Sequence, residues 1–110
     1  MSQEPVRALD GVRVLDLSRV LAGPLCTVQL SDHGAEIIKI EHPDHGDDTR
    51  GIMPEVGGES HFFLSANRNK KSVALNLASE EGREIIHRLA EQCDVLIENF
   101  RTGVMARHGL

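Results

Sequence analysis

The sequence predicts an α/β fold, a parallel β-sheet with helices flanking it. Two observations carry this: short β-branched and aliphatic runs alternate with longer segments of helical character, and the order strand, loop, helix, strand occurs twice in succession. Parallel neighbours need a crossover connection, and ligands bind where loops leave the carboxyl ends of the strands.

Residues 1–8 are polar, contain Pro5 and show no period, so they read as a flexible leader to a unit spanning 9–110. Val12, Val14, Leu15 and Leu17 form the first strand. Residues 18–24 break it, and a binding site in this chain is expected to begin there. Gly23 suits a cap and Pro24 suits the first helical position, where a missing N–H costs nothing. A helix of about ten residues is therefore expected to start at Pro24 and to end at Asp32-His33-Gly34, with Gly34 as a left-handed C-cap. Glu36-Ile37-Ile38-Lys39-Ile40-Glu41 makes the second strand.

From His42 to about Ser60 the residues are turn formers and charges, which predicts a long loop of the kind that is usually functional or disordered. Residues 61–66 read as a short helix and residues 67–71 as a basic turn. Residues 72–77 alternate, placing Val73, Leu75 and Leu77 on one face of a third strand. Ser79 then caps the clearest helix, whose apolar stripe is Ile85, Ile86, Leu89 and Ala90. Gly82 weakens its first turn by ~1 kcal/mol relative to Ala. Residues 94–99 form a fourth strand, apolar enough to expect burial. A further helix begins over Val104-Met105-Ala106-Arg107. Two helices and a partial third are scant cover for both faces of a parallel sheet, so the chain reads as the opening, incomplete part of a larger protein.

At 110 residues, 40% apolar and 26% charged, the chain fits one globular domain. Its 17 acidic and 12 basic residues leave a net charge of −5, which argues against nucleic acid and anionic membrane surfaces as partners. No apolar run approaches the ~20 residues of a membrane span and no secretory signal is recognisable, so the expected location is cytoplasmic. Cys26 and Cys93 lack CxxC spacing and are expected to pack as small buried hydrophobes. With three Phe and no Trp or Tyr, the core must be aliphatic.

The turn at residues 18–24 holds only Gly23, so the GxGxxG dinucleotide fingerprint is absent, as is the GxxxxGK[ST] phosphate loop. Glu41 ends the second strand where a dinucleotide fold keeps its ribose acid, but without the glycines it carries little weight. His42, Asp44, His45, Asp47 and Asp48 are metal-ligand types whose spacing matches no defined site. No serine sits in a GxSxG elbow. Arg68, Lys70 and Lys71 stand before the third strand, and Arg101 and Arg107 after the fourth. Either they gather around one crevice for a small polyanion, or they are independent surface charges; composition does not separate the two.

Six ordered motifs resemble the start of the family III CoA-transferases, also called the CaiB/BaiF family. They are residues 9–16 (LDGVRVLD), 22–24 (AGP), 34–41 (GAEIIKIE), 46–50 (GDDTR), 67–72 (NRNKKS) and 98–101 (ENFR). The resemblance covers residues 9–110. It implies a Rossmann-like large domain that binds the nucleotide of coenzyme A, in a homodimer whose two chains interlock. Coenzyme A or acyl-CoA would be a substrate, with a carboxylic acid as acceptor, and no permanently bound cofactor is implied. By motif matching, the coenzyme-binding positions would be Leu21, Ala22, His42, Leu75, Asn76, Leu77, Ala78, Asn99, Phe100, Arg101 and Arg107. His42 stands where some transferases have arginine.

The family's transferases work through an aspartate that becomes acylated and then forms an aspartyl-CoA thioester, a covalent route open to a carboxylate. By the resemblance that aspartate lies further along the family's sequence than Leu110, as do the histidine and aspartate of the racemase branch. The expected function is therefore coenzyme binding without catalysis in these residues. The alternatives are part of an acyl-CoA racemase, or a non-catalytic nucleotide-binding domain.

Overall fold

The computed structural model describes residues 6–110; residues 1–5 of the expected leader lie outside the described part. The elements are β1 (Arg13–Asp16), α1 (Ala22–Asp32), β2 (Glu36–Glu41), a 3₁₀ turn (Asp48–Gly51), β3 (Glu55–Val56), β4 (Glu59–Ser60), α2 (His61–Asn67), β5 (Lys70–Ala74), α3 (Glu80–Glu91), β6 (Val95–Ile97) and α4 (Val104–Arg107). The main sheet has the order β5-β2-β1-β6, and every pair in it is parallel. Chain order runs outward from β1 to β2 to β5 and then returns to the far side of β1, so a switch point lies between β1 and β6.

The two faces of this sheet differ. On one, Leu15, Leu17 and Ile40 pack with Ile86 of α3, and Val73, Leu75, Leu77 and Leu89 extend the same core. On the other, Val14 and Ile37 meet Leu30 of α1 and Ala35, a smaller apolar cluster. The next inward positions on that second face are Asp16 and Lys39, both buried and charged.

Several expectations shift by a turn or less. Helix α1 begins at Ala22 with Leu21 at the cap, so Pro24 falls inside the first turn, where N–H groups have no intrahelical acceptor in any case. Gly34 takes φ +108° after the C-cap residue His33, as expected. β5 starts at Lys70 rather than Ser72, because Lys70 and Lys71 pair with Ile37 and Ile38 of β2. Ser79 Oγ accepts the Gly82 N–H at 3.0 Å, as the N-cap reading requires. Gly82 itself is no weakness of α3: a Cβ there would lie 1.9 Å from the Asn76 carbonyl oxygen, so only glycine allows the approach.

Three expectations fail. The loop after β2 is not structureless, since it forms the 3₁₀ turn and a small antiparallel hairpin through Gly57-Gly58. The fourth strand is not buried: Val95 and Leu96 of β6 are each 41% exposed, because β6 is an edge strand among the described residues. Cys26 is exposed on the outer side of α1, while Cys93 is partly buried against the α3 core.

Candidate functional site

A cleft of about 470 Å³ opens at the carboxyl ends of all four parallel strands. Leu17 and Arg19 reach it from β1, Ile40, Glu41 and His42 from β2, Leu75, Asn76, Leu77 and Ala78 from β5, and Phe100, Arg101, Val104, Arg107 and His108 from the segment after β6. Aliphatic side chains and Phe100 supply apolar surface, and Arg19, Arg101 and Arg107 supply positive charge. Among the described residues none of these three arginines is within ion-pair distance of a carboxylate. The Arg19 guanidinium instead lies over the Phe100 ring, 5.2 Å from its centroid.

Eight of the eleven positions expected from the sequence line this cleft: His42, Leu75, Asn76, Leu77, Ala78, Phe100, Arg101 and Arg107. Leu21 and Ala22 do not; they are exposed at the start of α1. Nor does Asn99, whose side chain is engaged elsewhere. Its Oδ1 accepts the Arg19 N–H at 3.0 Å and its Nδ2 donates to the Arg19 carbonyl at 2.8 Å, clamping the turn after β1. Sequence reasoning missed Leu17, Arg19, Ile40, Glu41, Val104 and His108. Arg19 had a usable signal, its place in the turn at the end of the first strand, but its partner Phe100 is distant in sequence.

His42 Nδ1 accepts the Asp44 N–H at 3.1 Å, so the neutral ring carries its proton on Nε2. Its ring stacks on His45 at 4.1 Å between centroids, with 7° between planes. A stacked imidazole in this position offers a flat face and one donor where an arginine would offer a fixed charge.

The two basic clusters do not share a crevice. In a parallel sheet, residues before β5 and residues after β6 lie at opposite ends, and Arg68, Lys70 and Lys71 are at the amino end. Arg68 pairs there with Asp32 at 2.6 Å and Lys71 with Glu36 at 2.8 Å, while the Lys70 ammonium reaches inward beneath α1 to Asp16 at 3.5 Å and is buried.

Beside the cleft, the polar face of the sheet is closed by ion pairs. Lys39 bridges Asp47 at 2.9 Å with both side chains enclosed. Glu41 takes a two-point contact from Arg50, each bond 2.8 Å, and also accepts the Ser72 hydroxyl and the Asp47 N–H. Burial raises the Glu41 carboxyl, but Arg50, Ser72 and the Asp47 N–H outweigh it and bring it to about 2. Burial likewise raises Asp47, and the Thr49 N–H and Lys39 hold it below the ordinary carboxylate range. Burial lowers Lys70 to about 8 against the pull of Asp16. Asp47, one of the metal-ligand types noted in the sequence, is thus committed to Lys39. Among the described residues no group of three or more His, Cys, Asp or Glu stands together to hold a metal. No helix among them is long and apolar enough to cross a membrane.

Gly23 fits this arrangement sterically. A Cβ at that position would lie 2.2 Å from the Ser18 Cβ, so the helix start can press against the turn only with glycine.

Comparison with known proteins bears on the family and the fold. Residues 9–110 match the family described as CoA-transferase family III. The chain is 52% identical over 106 residues to a human succinyl-CoA:glutarate CoA-transferase, covering 96% of this chain and 24% of that protein. It is 50% identical over 106 residues to an acetyl-CoA:oxalate CoA-transferase of Acetobacter aceti, covering 96% and 27%. Among solved structures, a CAIB/BAIF family protein from Brucella suis superimposes with a TM-score of 0.89 at 42% identity, over 96% of this chain and 29% of that one. The chain thus spans about a quarter of the length of the curated relatives it matches. With the family pattern covering nearly every residue and the same parallel-sheet fold in its structural neighbours, the chain belongs to CoA-transferase family III.

Proposed function

We propose that this chain provides the coenzyme A-binding surface of a transferase that moves CoA from an acyl-CoA to a carboxylic acid. The observation that carries the reading is the cleft itself. In a chain of net charge −5, Arg19, Arg101 and Arg107 are collected around an apolar, aromatic-bearing floor at the carboxyl ends of the strands. Coenzyme A matches that chemistry, with phosphates for the guanidinium groups and adenosine and pantetheine for the apolar surface. The cleft positions from His42 to Arg107 would make those contacts, with Leu21 and Ala22 offering backbone groups beside them.

The relatives reported above are named for exchange between an acyl-CoA and a dicarboxylic acid, which supports transfer over racemisation. Four of the chain's seven aspartates are already engaged, which favours a binding role without catalysis. Asp16 and Asp47 are buried and paired with lysines, Asp32 is paired with Arg68, and Asp94 accepts the Arg13 N–H. In this reading the acylated aspartate belongs to the remaining part of a family-length protein, which pairs with a second copy as an interlocked dimer. The exposed apolar side chains Leu25, Val95 and Leu96 support further protein covering them.

Titration calorimetry of the chain with coenzyme A tests this. Saturable binding, competed by adenosine 3′,5′-bisphosphate and weakened by added salt, is the expected result. A chain that melts cooperatively yet takes up no coenzyme A would overturn it. Acyl-CoA exchange by the chain alone would overturn the claim that it is not catalytic by itself.

A further inference from the structure

Three consecutive residues of the turn after β1 are each held through the backbone by a side chain from another segment. Lys39 Nζ donates to the Ser18 carbonyl at 3.0 Å, the Asn99 amide pairs with both backbone groups of Arg19, and both Asp47 carboxylate oxygens accept the Val20 N–H at 3.3 Å. Lys39 and Asp47 also bridge each other, with side chains 1% and 0% exposed. Val20 takes φ +72°, a left-handed conformation that β-branched residues avoid and that persists only where its surroundings over-determine it.

A buried ion pair is weak grounds for a role in stability, because well-packed apolar residues of similar volume serve as well or better. What apolar residues cannot do is fix a carbonyl and an N–H two positions apart. We propose that Lys39 and Asp47 act as a positioning pair that locks Val20 in its left-handed conformation. The lock places the Arg19 guanidinium over Phe100 inside the cleft and sets the start of α1 beside it. The consequence for ligand rests on the coenzyme A reading above. Neither lysine nor aspartate touches the ligand; both act through the turn.

The pair is tested in this chain with Asp47→Ala, the double variant Lys39→Met/Asp47→Ala, and the same double carrying Val20→Gly. The double leaves no charge stranded in the interior, so it reports on the turn even where the single variant does not fold. Three quantities are read: Val20 amide hydrogen exchange by NMR, coenzyme A affinity by calorimetry, and melting temperature. In the double, Val20 exchange is expected to quicken and affinity to fall about tenfold, the size of effect expected when a strained turn is released. Val20→Gly should return affinity to within about threefold of the original, because glycine takes a positive φ without strain, while leaving the melting temperature of the double unrestored. A purely architectural pair predicts that affinity follows melting temperature and that Val20→Gly rescues nothing; that result overturns the proposal. Unchanged Val20 exchange in the double overturns it as well. Failure of the unaltered chain to bind coenzyme A would instead refute the functional reading, and Val20 exchange would still decide the role of the pair.

Discussion

The buried face beneath α1 and the open cleft at the strand ends use the same kinds of residue to opposite effect. On the buried face Asp16, Lys39, Asp47 and Lys70 form two enclosed ion pairs, and Glu41 and Arg50 add a third at its border. In the cleft, Arg19, Arg101 and Arg107 stand without carboxylate partners among the described residues. Charges taken out of water must be matched and hydrogen-bonded, which leaves them nothing to offer a ligand. Charges left at the mouth of a cleft retain that capacity, and the field of nearby apolar walls strengthens it. Pairing and exposure therefore separate architecture from function more sharply than residue type does.

The largest effect should come from breaking the buried face. Asp47→Ala strands Lys39 in the interior and is expected to cost about 3–5 kcal/mol in urea unfolding. Gly82→Ala should come next, destabilising by about 2 kcal/mol or more despite the better helix propensity of alanine, because its Cβ meets the Asn76 carbonyl; the same unfolding measurement checks it. Acid should act on Glu41. Its folded value of about 2 lies below the ordinary 4.5, so the stability it contributes is present above pH 4.5 and is lost as pH falls toward 2. That loss should amount to roughly 2 kcal/mol, reduced by the partial exposure of Arg50, and Glu41→Gln should flatten the acid limb of a stability profile.

Lys70 should act with the same sign at the other end of the pH range, although there it is the charged form that the fold disfavours. Its folded value of about 8 lies below the ordinary 10.5, so the charged form is disfavoured in the fold and its contribution to stability rises as pH climbs between those values. Lys70→Met should remove that rise. The smallest effect on stability should come from the cleft: Arg107→Ala is expected to stay within about 0.5 kcal/mol in unfolding while weakening coenzyme A about tenfold in calorimetry. A cleft variant that unfolded the chain, or an Asp47→Ala variant as stable as the original, would erase the contrast.

Much of the fold was legible because its signals are local. Ser79 announced α3, Gly34 closed α1, and the run Glu36 to Glu41 announced β2. The cleft was largely legible through motifs, since the family resemblance brought eight lining residues together in advance. Lys39, Asp47 and Lys70 were not. In sequence they looked like a charge within a strand, a loop acid and part of a basic turn, and their roles depend on partners across the fold. Asn99 is similar: its side chain serves the backbone of Arg19, 80 positions away.

By itself the sequence determined the strands of the main sheet and the helices beside it, because β-branched runs, caps and breakers act through neighbours a few residues away; the 3₁₀ turn and hairpin between Asp48 and Ser60 escaped it. It also determined the family, through motifs in a fixed order. Only the tertiary structure decided which charges are enclosed and which are free. That depends on strand register and direction, which brought Lys39 under the Ser18–Val20 turn and sent Arg68, Lys70 and Lys71 to the end of the sheet away from Arg101 and Arg107.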